Sequence, residues 1–343
     1  MIQLDTVKLN LPFKRNFRVA KGEANSKINI FTILNNRYSG EASSSVQYGP
    51  SLELIENDVL HGMKLLKELD KINLEALDYV SDFDIHPIAK SALVGMIINY
   101  LSGESRKYPW EVLGIGTPVG VKSSYTIGID TPAVMKEQIN NSDFPIIKIK
   151  MGNEEDVLVL DLLDSIEGKE IRVDANGGWS CAKAEEMIFN LCQKGVTVIE
   201  QPTSVDFLSE WKHLKGKNDD VCLVMDEGLN SLEDYKKYSE NFDCANIKME
   251  KSGGVVEGLK IALAAQEEKK KVMLGCMVSS SVGIAQSLYM SSKADYFDLD
   301  GPLLLENDIA NGITYTNESI IVDREIIGGP KIKRDIFEKY ITK

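Results

Sequence analysis

Cysteine is scarce in this chain, five in 343 residues (Cys181, Cys192, Cys222, Cys244, Cys276), odd in number and without a C-x-x-C pair. That argues against a disulfide framework and for thiols kept reduced in a cytoplasm. Positive charge is also short: 39 Lys and Arg stand against 52 Asp and Glu, a formal charge of −13. No basic block could neutralise a phosphate backbone, so nucleic acid is excluded as an expected partner. No apolar run reaches membrane-spanning length, and the opening MIQLDTVKLNLPFK alternates like a strand rather than presenting a signal-peptide core. The expectation is a cytoplasmic protein with no membrane partner. No G-x-G-x-x-G or P-loop follows any apolar strand, which leaves a nucleotide-binding open sheet without support.

What the chain does have is length and rhythm. At 43% hydrophobic and 27% charged it is an ordinary globular composition, long enough for one large domain and a smaller one. Up to residue 114, short alternating stretches (IQLDTVKLNL, KINIFTIL) give way to helical patterns near 52–70 and 87–102, which suggests a small α+β domain. From 115 to 315 the chain repeats apolar strand, Gly or Pro punctuation and amphipathic helix eight times, mostly at 22 to 27 residues per repeat. Eight βα-sized repeats are the signature of a closed parallel barrel. The stretch 316–343 is left as a C-terminal segment.

Barrel active sites form at the C-terminal ends of the strands. There the third strand ends in Asp174, the fourth in Glu200 and the fifth in Asp226, each 26 residues after the last. Three carboxylates converging on one mouth would repel one another unless a hard divalent cation neutralised them, and an oxygen-only set favours Mg²⁺ over zinc. Any one of these acids alone could simply cap the following helix. Their common spacing weakens that alternative.

The second strand, PIIKIKMG, places Lys148 and Lys150 on one face, and Lys248 ends the sixth in NIKME. A lone strand lysine is commonly an edge or snorkelling residue. Two on one face of a central strand are not explained that way. Burial should lower such amines toward neutrality, and a lysine on either side of the carboxylates could take a proton from a substrate and return one.

Lys148 and Lys150 in K-x-K, Asp174 in DANGG, Glu200 in IEQP, Asp226 in DEG, Lys248 in NIKMEKSGG, and Asp298 and Asp300 in DLDGP together resemble the enolase superfamily. Within it the resemblance is to the dipeptide epimerases of the muconate-lactonizing-enzyme-like subgroup, and it covers essentially the whole chain. It implies an α/β fold: a modified TIM barrel, (β/α)₇β, over 115–315, with an α+β capping domain over 1–114 to which the tail returns. It implies Mg²⁺ on Asp174, Glu200 and Asp226, a Lys or His base being usual in the superfamily. Lys150 and Lys248 would be the two acid/base catalysts of a 1,1-proton transfer through an enediolate. Lys148 would neutralise the substrate carboxylate.

The resemblance also implies a small dipeptide substrate and a homo-oligomer. Asp298 and Asp300 would meet the free ammonium of its first residue. Arg18, in PFKRNFRVAKG, matches the arginine that grips a glutamate side chain, so that L-Ala-L-Glu to L-Ala-D-Glu is the expected reaction; Lys14, Arg15 and Lys21 stand close enough in sequence to compete for that role. Thr126, ending the first barrel strand, would touch the substrate. A preference for Ala-Glu would suggest recycling of cell-wall peptides. Mandelate-racemase-like chemistry needs a histidine on a later strand, and His61, His86 and His213 are not there. o-Succinylbenzoate synthases and N-succinylamino acid racemases share the core but have no need for Asp298 and Asp300. A non-catalytic scaffold would be expected to have lost a ligand or a base.

Overall fold

The computed structural model describes residues 2–19, 22–43, 49–215, 220–316 and 319–336; Lys21 and residues 337–343 of the C-terminal segment lie outside these. Strands β1 (Leu4–Val19), β2 (Gly22–Leu34) and β3 (Tyr38–Ala42) form an antiparallel sheet in that order. Both of its faces bury apolar residues. Ile30 and Leu34 pack with residues of helices α1 (Leu52–Lys67), α2 (Glu75–Ser81) and α3 (Pro87–Ser105). On the other side Leu9, Leu11 and Phe31 pack with Val282, Leu305 and Ile309.

Local sequence explains these helices. Ser51 caps α1 by accepting the Leu54 N–H, and Ile55, Val59, Met63 and Leu66 recur at helical spacing to bury one stripe. Helix α3 is apolar nearly all round because β3 lies on one side of it and barrel helices on another. Gly40 permits that approach, since a Cβ there would fall 1.9 Å from Ala92 O.

After a one-turn helix α4 (Pro109–Val112) comes the barrel. Its strands are β4 (Tyr125–Ile127), β5 (Ile146–Lys150), β6 (Glu170–Asp174), β7 (Val198–Glu200), β8 (Cys222–Met225), β9 (Cys244–Lys248), β10 (Lys271–Gly275) and β11 (Tyr296–Asp298). Each pairs in parallel with the next, and the eight correspond to the eight apolar segments of the sequence. The Ser124 N–H donates to Phe297 O at 3.0 Å, which draws the two outer strands together and nearly closes the ring. The intervening helices are α5 (Pro132–Asn140), α6 (Asp156–Leu163), α7 (Cys181–Gln193), α8 (Trp211–Lys215), α9 (Leu232–Tyr238), α10 (Met249–Ser252), α11 (Val255–Glu267) and α12 (Ser281–Tyr289). Only a single turn, α13 (Gly301–Leu304), follows β11, as a (β/α)₇β barrel requires.

The barrel is packed inside. Val198, Val224, Cys244 and Met273 form a core of their own, and Arg172 reaches across to donate to Phe297 O at 3.3 Å. Space for a site is therefore confined to the end where the strands finish. The far half of β1 lies over that end: the Ile129 N–H donates to Arg18 O at 2.9 Å and the Glu306 N–H to Pro12 O at 2.8 Å. Short strands β12 (Ala310–Asn311), β13 (Ile313–Tyr315), β14 (Ile320–Val322) and β15 (Lys331–Ile332) follow the barrel, and Ile332 and Ile336 pack beside Leu9, Leu11 and Phe31. Among the described residues no helix is long and apolar enough to cross a membrane.

Candidate active site

Strand register brings the acids to the mouth, though not at one height. Lys150, Asp174 and Glu200 lie side by side across β5, β6 and β7. Glu200 faces Val224, so Asp226 stands two residues further out, just past the end of β8. Equal sequence spacing thus hides a stagger, the tilt by which parallel strands close a barrel. Lys248 and Asp298 flank Gly275 on either side. A Cβ on Gly275 would fall 2.5 Å from Asn246 Oδ1 and 3.0 Å from Lys248 Cε, so the glycine leaves room for both.

Lys148 and Lys150 both point inward and are buried, as their two-residue spacing requires. Lys148 Nζ lies 3.0 Å from Asp174 Oδ2, 2.7 Å from Glu200 Oε2 and 2.7 Å from Asp298 Oδ2. Lys150 Nζ donates to Asp174 Oδ2 at 2.5 Å. Across the mouth, Asp226 receives Lys248 at 2.7 Å on Oδ2 and Lys251 at 2.7 Å on Oδ1. Four ammonium groups therefore interleave with the acids.

These pairings decide the protonation states. Burial pulls Lys148 down, but Asp174, Asp298 and Glu200 outweigh it, and its pKa stands well above the ordinary lysine value. Lys150 is raised too, burial being overcome chiefly by Asp174. The lysines near neutrality expected from burial are not found while these carboxylates face them. Burial would raise Asp226, yet Lys248 and Lys251 hold it well below the usual carboxylate range. Glu200 goes the other way, pushed up to about 8 by burial and by Asp174 against the pull of Lys148.

The donors suit a hard cation. Asp174, Glu200 and Asp226 offer oxygen only, each is almost fully buried, and Glu200 Oε2 takes no well-directed hydrogen bond despite its ion pair. Among the described residues no three acids already surround a common point, because ammonium groups are lodged between them. A strained backbone holds the acids in place: Gln201 sits at φ 39°, and its Oε1 accepts the Asp226 N–H at 2.9 Å.

Asp298 is committed on both oxygens, to Ser124 Oγ at 2.7 Å and to Lys148. Asp300 accepts the Thr126 N–H on Oδ2 at 2.6 Å, and its pKa is pushed up to about 7 by burial and by Asp298. Lys150, Lys248, Thr126, Asp298 and Asp300 line one cavity, roofed by Phe13, Phe17, Val19 and Ala24. Arg18 is not brought there. In the β1–β2 ribbon Phe17 pairs with Ala24 and Val19 with Gly22, whereas Arg18 pairs with Glu23 and is exposed. Strand alternation sends Arg18 to the opposite face from Phe17 and Val19.

Several polar residues at the site escaped the sequence reading. Lys251 follows Lys248 at helical i,i+3 spacing, a signal that was available. Asn246 donates to Glu200 Oε1 at 3.0 Å and could have been found as the inward residue two before Lys248. Lys27 lines the same cavity from β2. Glu250, two past Lys248, is buried with Oε1 unpartnered; burial pushes its pKa up to about 7, against the pull of Lys27 and Lys248 and with Glu41 adding to the rise.

A stability prediction follows from Glu250. Its folded pKa lies above the ordinary 4.5, so the protonated form favours folding, and that contribution is complete below about 4.5 and lost as pH rises through about 7. Glu250→Gln should therefore match the unmodified protein at pH 4.5 and exceed it at pH 8 by on the order of 1–3 kcal/mol. Urea midpoints at the two pH values check this. A constant difference between them would refute it.

Residues 131–319 match the enolase C-terminal domain-like family. The chain is 31% identical over 289 residues to an L-Ala-D/L-Glu epimerase of Bacteroides thetaiotaomicron, covering 83% of this chain and 75% of that protein. It is 29% identical over 316 residues to an L-Ala-D/L-amino acid epimerase of Flavobacterium johnsoniae, covering 89% and 92%. A dipeptide epimerase of Enterococcus faecalis, solved with Mg and the dipeptide L-Leu-L-Tyr, superposes with a TM-score of 0.87 at 22% identity over 96% of this chain and 99% of that one.

Proposed function

Because the chain belongs to the enolase C-terminal domain-like family, we propose that it is a Mg²⁺-dependent dipeptide epimerase inverting the α-carbon of the second residue. The observation that carries this reading is a pair of buried lysines, Lys150 and Lys248, on strands separated by the three carboxylate-bearing strands and lining one cavity. Bound at Asp174, Glu200 and Asp226, Mg²⁺ would act as a Lewis acid toward the carboxylate of the inverted residue. Lys150 and Lys248 would each face one side of the α-carbon, one removing its proton and the other delivering a proton to the opposite face. Lys148, already among three acids, would add fixed positive charge where negative charge develops. Asp300, beside Thr126, would hold the ammonium of the first residue, with Asp298 lending its charge from behind. The five thiols, all free, suit a reducing cytoplasm.

The test is exchange in D₂O. With Mg²⁺ present, a library of L-Ala-L-Xaa dipeptides should gain one deuteron at the second α-carbon together with inversion, L-Ala-L-Glu among the fastest. The N-acetylated form of the same dipeptide, lacking the ammonium, should be slow. Absence of exchange in every dipeptide, or an N-acylated amino acid outrunning them all, would refute the proposal.

A further inference from the structure

Lys27 is an odd residue to find in an apolar roof. Its neighbours there, Phe13, Phe17, Val19 and Ala24, carry no charge, and the other cations lining the cavity, Lys150 and Lys248, belong to its floor. Lys27 is only 6% exposed. Its amine donates to two neutral acceptors, Ser43 Oγ at 2.6 Å and Val278 O at 3.0 Å. Glu250 and Glu41 act on this ammonium through space, but its direct partners are neutral, and an anion arriving in the cavity would supply a charged partner.

The cavity is thus charged at two places beyond the lysine bases. Asp298 and Asp300 give it a negative end, and Lys27 gives the roof a positive point. Burial pulls the Lys27 pKa down to about 8, with Glu250 and Glu41 resisting, so the amine is mainly cationic at neutral pH. Arg18, the arginine the sequence favoured for an anionic group, faces away from this space.

Resting on the dipeptide reading above, we propose that Lys27 is the specificity-determining residue for the side chain of the second amino acid, recognising an anionic group such as the carboxylate of Glu. A hydrogen bond between charged groups in a buried site is strong and directional, and its loss falls on acidic substrates alone.

The experiment compares L-Ala-L-Glu with its neutral isostere L-Ala-L-Gln on the full chain with Mg²⁺. Both deuterium exchange and calorimetric affinity are read, with thermal melts to confirm folding. The unmodified protein should prefer Glu over Gln by roughly ten- to a hundredfold. Lys27→Met should bring the two within about threefold of each other, by losing Glu and sparing Gln. Lys27→Arg should keep the preference, which guards against a variant that merely fails to fold. Arg18→Ala should keep it too.

Equal handling of Glu and Gln by the unmodified protein would overturn the assignment, as would a preference that vanishes in Arg18→Ala but persists in Lys27→Met. An equal loss for both dipeptides in Lys27→Met would mark a purely structural lysine and overturn it as well. Failure of the epimerase reading looks different. Exchange would then be absent from every dipeptide, while a Glu-over-Gln affinity removed by Lys27→Met would still uphold Lys27 as the anion-reading residue.

Discussion

Lys150→Ala and Lys248→Ala should each lower dipeptide epimerisation by a factor of about 10³ or more, the range expected when a positioned acid or base is removed. The two variants should fail differently. If each amine serves one face of the α-carbon, the lysine that remains can still wash deuterium into the epimer whose proton it faces, so each variant exchanges one epimer and the two choose opposite epimers. Folding should survive both changes, because the acids keep a second ammonium: Asp174 retains Lys148 at 3.0 Å when Lys150 is lost, and Asp226 retains Lys251 at 2.7 Å when Lys248 is lost. The measurement is chiral separation of L-Ala-L-Glu and L-Ala-D-Glu after incubation in D₂O, with mass read on each. Identical exchange patterns in the two variants would contradict the two-lysine assignment.

That redundancy marks where sequence reading worked and where it stopped. Lys148 and Lys150 could be paired from the strand period alone, since a spacing of two fixes a common face whatever the tertiary structure. The barrel was legible for the same reason, each strand being a short apolar run ended by Gly or Pro. Contacts made between strands were not. The second and third partners of Lys148 come from β7 and β11, fifty and more residues away, and nothing in the neighbourhood of residue 148 announces them. Lys27 was hidden by a different cause. In SKINIFTIL the alternation reads as isoleucines inward, but at this end of β2 only the barrel side is covered, so Lys27 and Asn29 are buried there while Ile28 is 46% exposed. Alternation tells two faces apart but not which of them is covered, and here the polar face is the covered one. The face Arg18 takes was not legible either, since the register of a ribbon is set by its bulge, and the shift between Pro12 and Phe17 decides it.

Removing the divalent cation should have an effect at least as large. EDTA should abolish exchange and Mg²⁺ should restore it, because a Lewis acid at a developing oxyanion contributes several kcal/mol, or about 10³-fold and upward in rate. Asp226→Asn should reproduce the chelated state and resist rescue. Asp226 is the most exacting place to ask, since it pairs with Lys248 and Lys251 together and stands two residues beyond the height of Asp174 and Glu200. An amide there keeps the size of the side chain but withdraws the negative charge from both lysines and from any ion shared with the other two acids.

A readout apart from catalysis separates these effects. An ion that binds the folded state alone raises the melting temperature with its concentration. Mg²⁺ should therefore stabilise the unmodified protein in a saturable way and leave Asp226→Asn unmoved. The lysines should compete with the ion, since Lys148 lies within 3.0 Å of both Asp174 and Glu200. Lys148→Met should consequently bind Mg²⁺ at least as tightly as the unmodified protein even though its turnover falls. Undiminished exchange after exhaustive chelation, or the same Mg²⁺-dependent rise in melting temperature in Asp226→Asn as in the unmodified chain, would remove Asp226 from the metal site and with it the reason for placing three carboxylates at the ends of β6, β7 and β8.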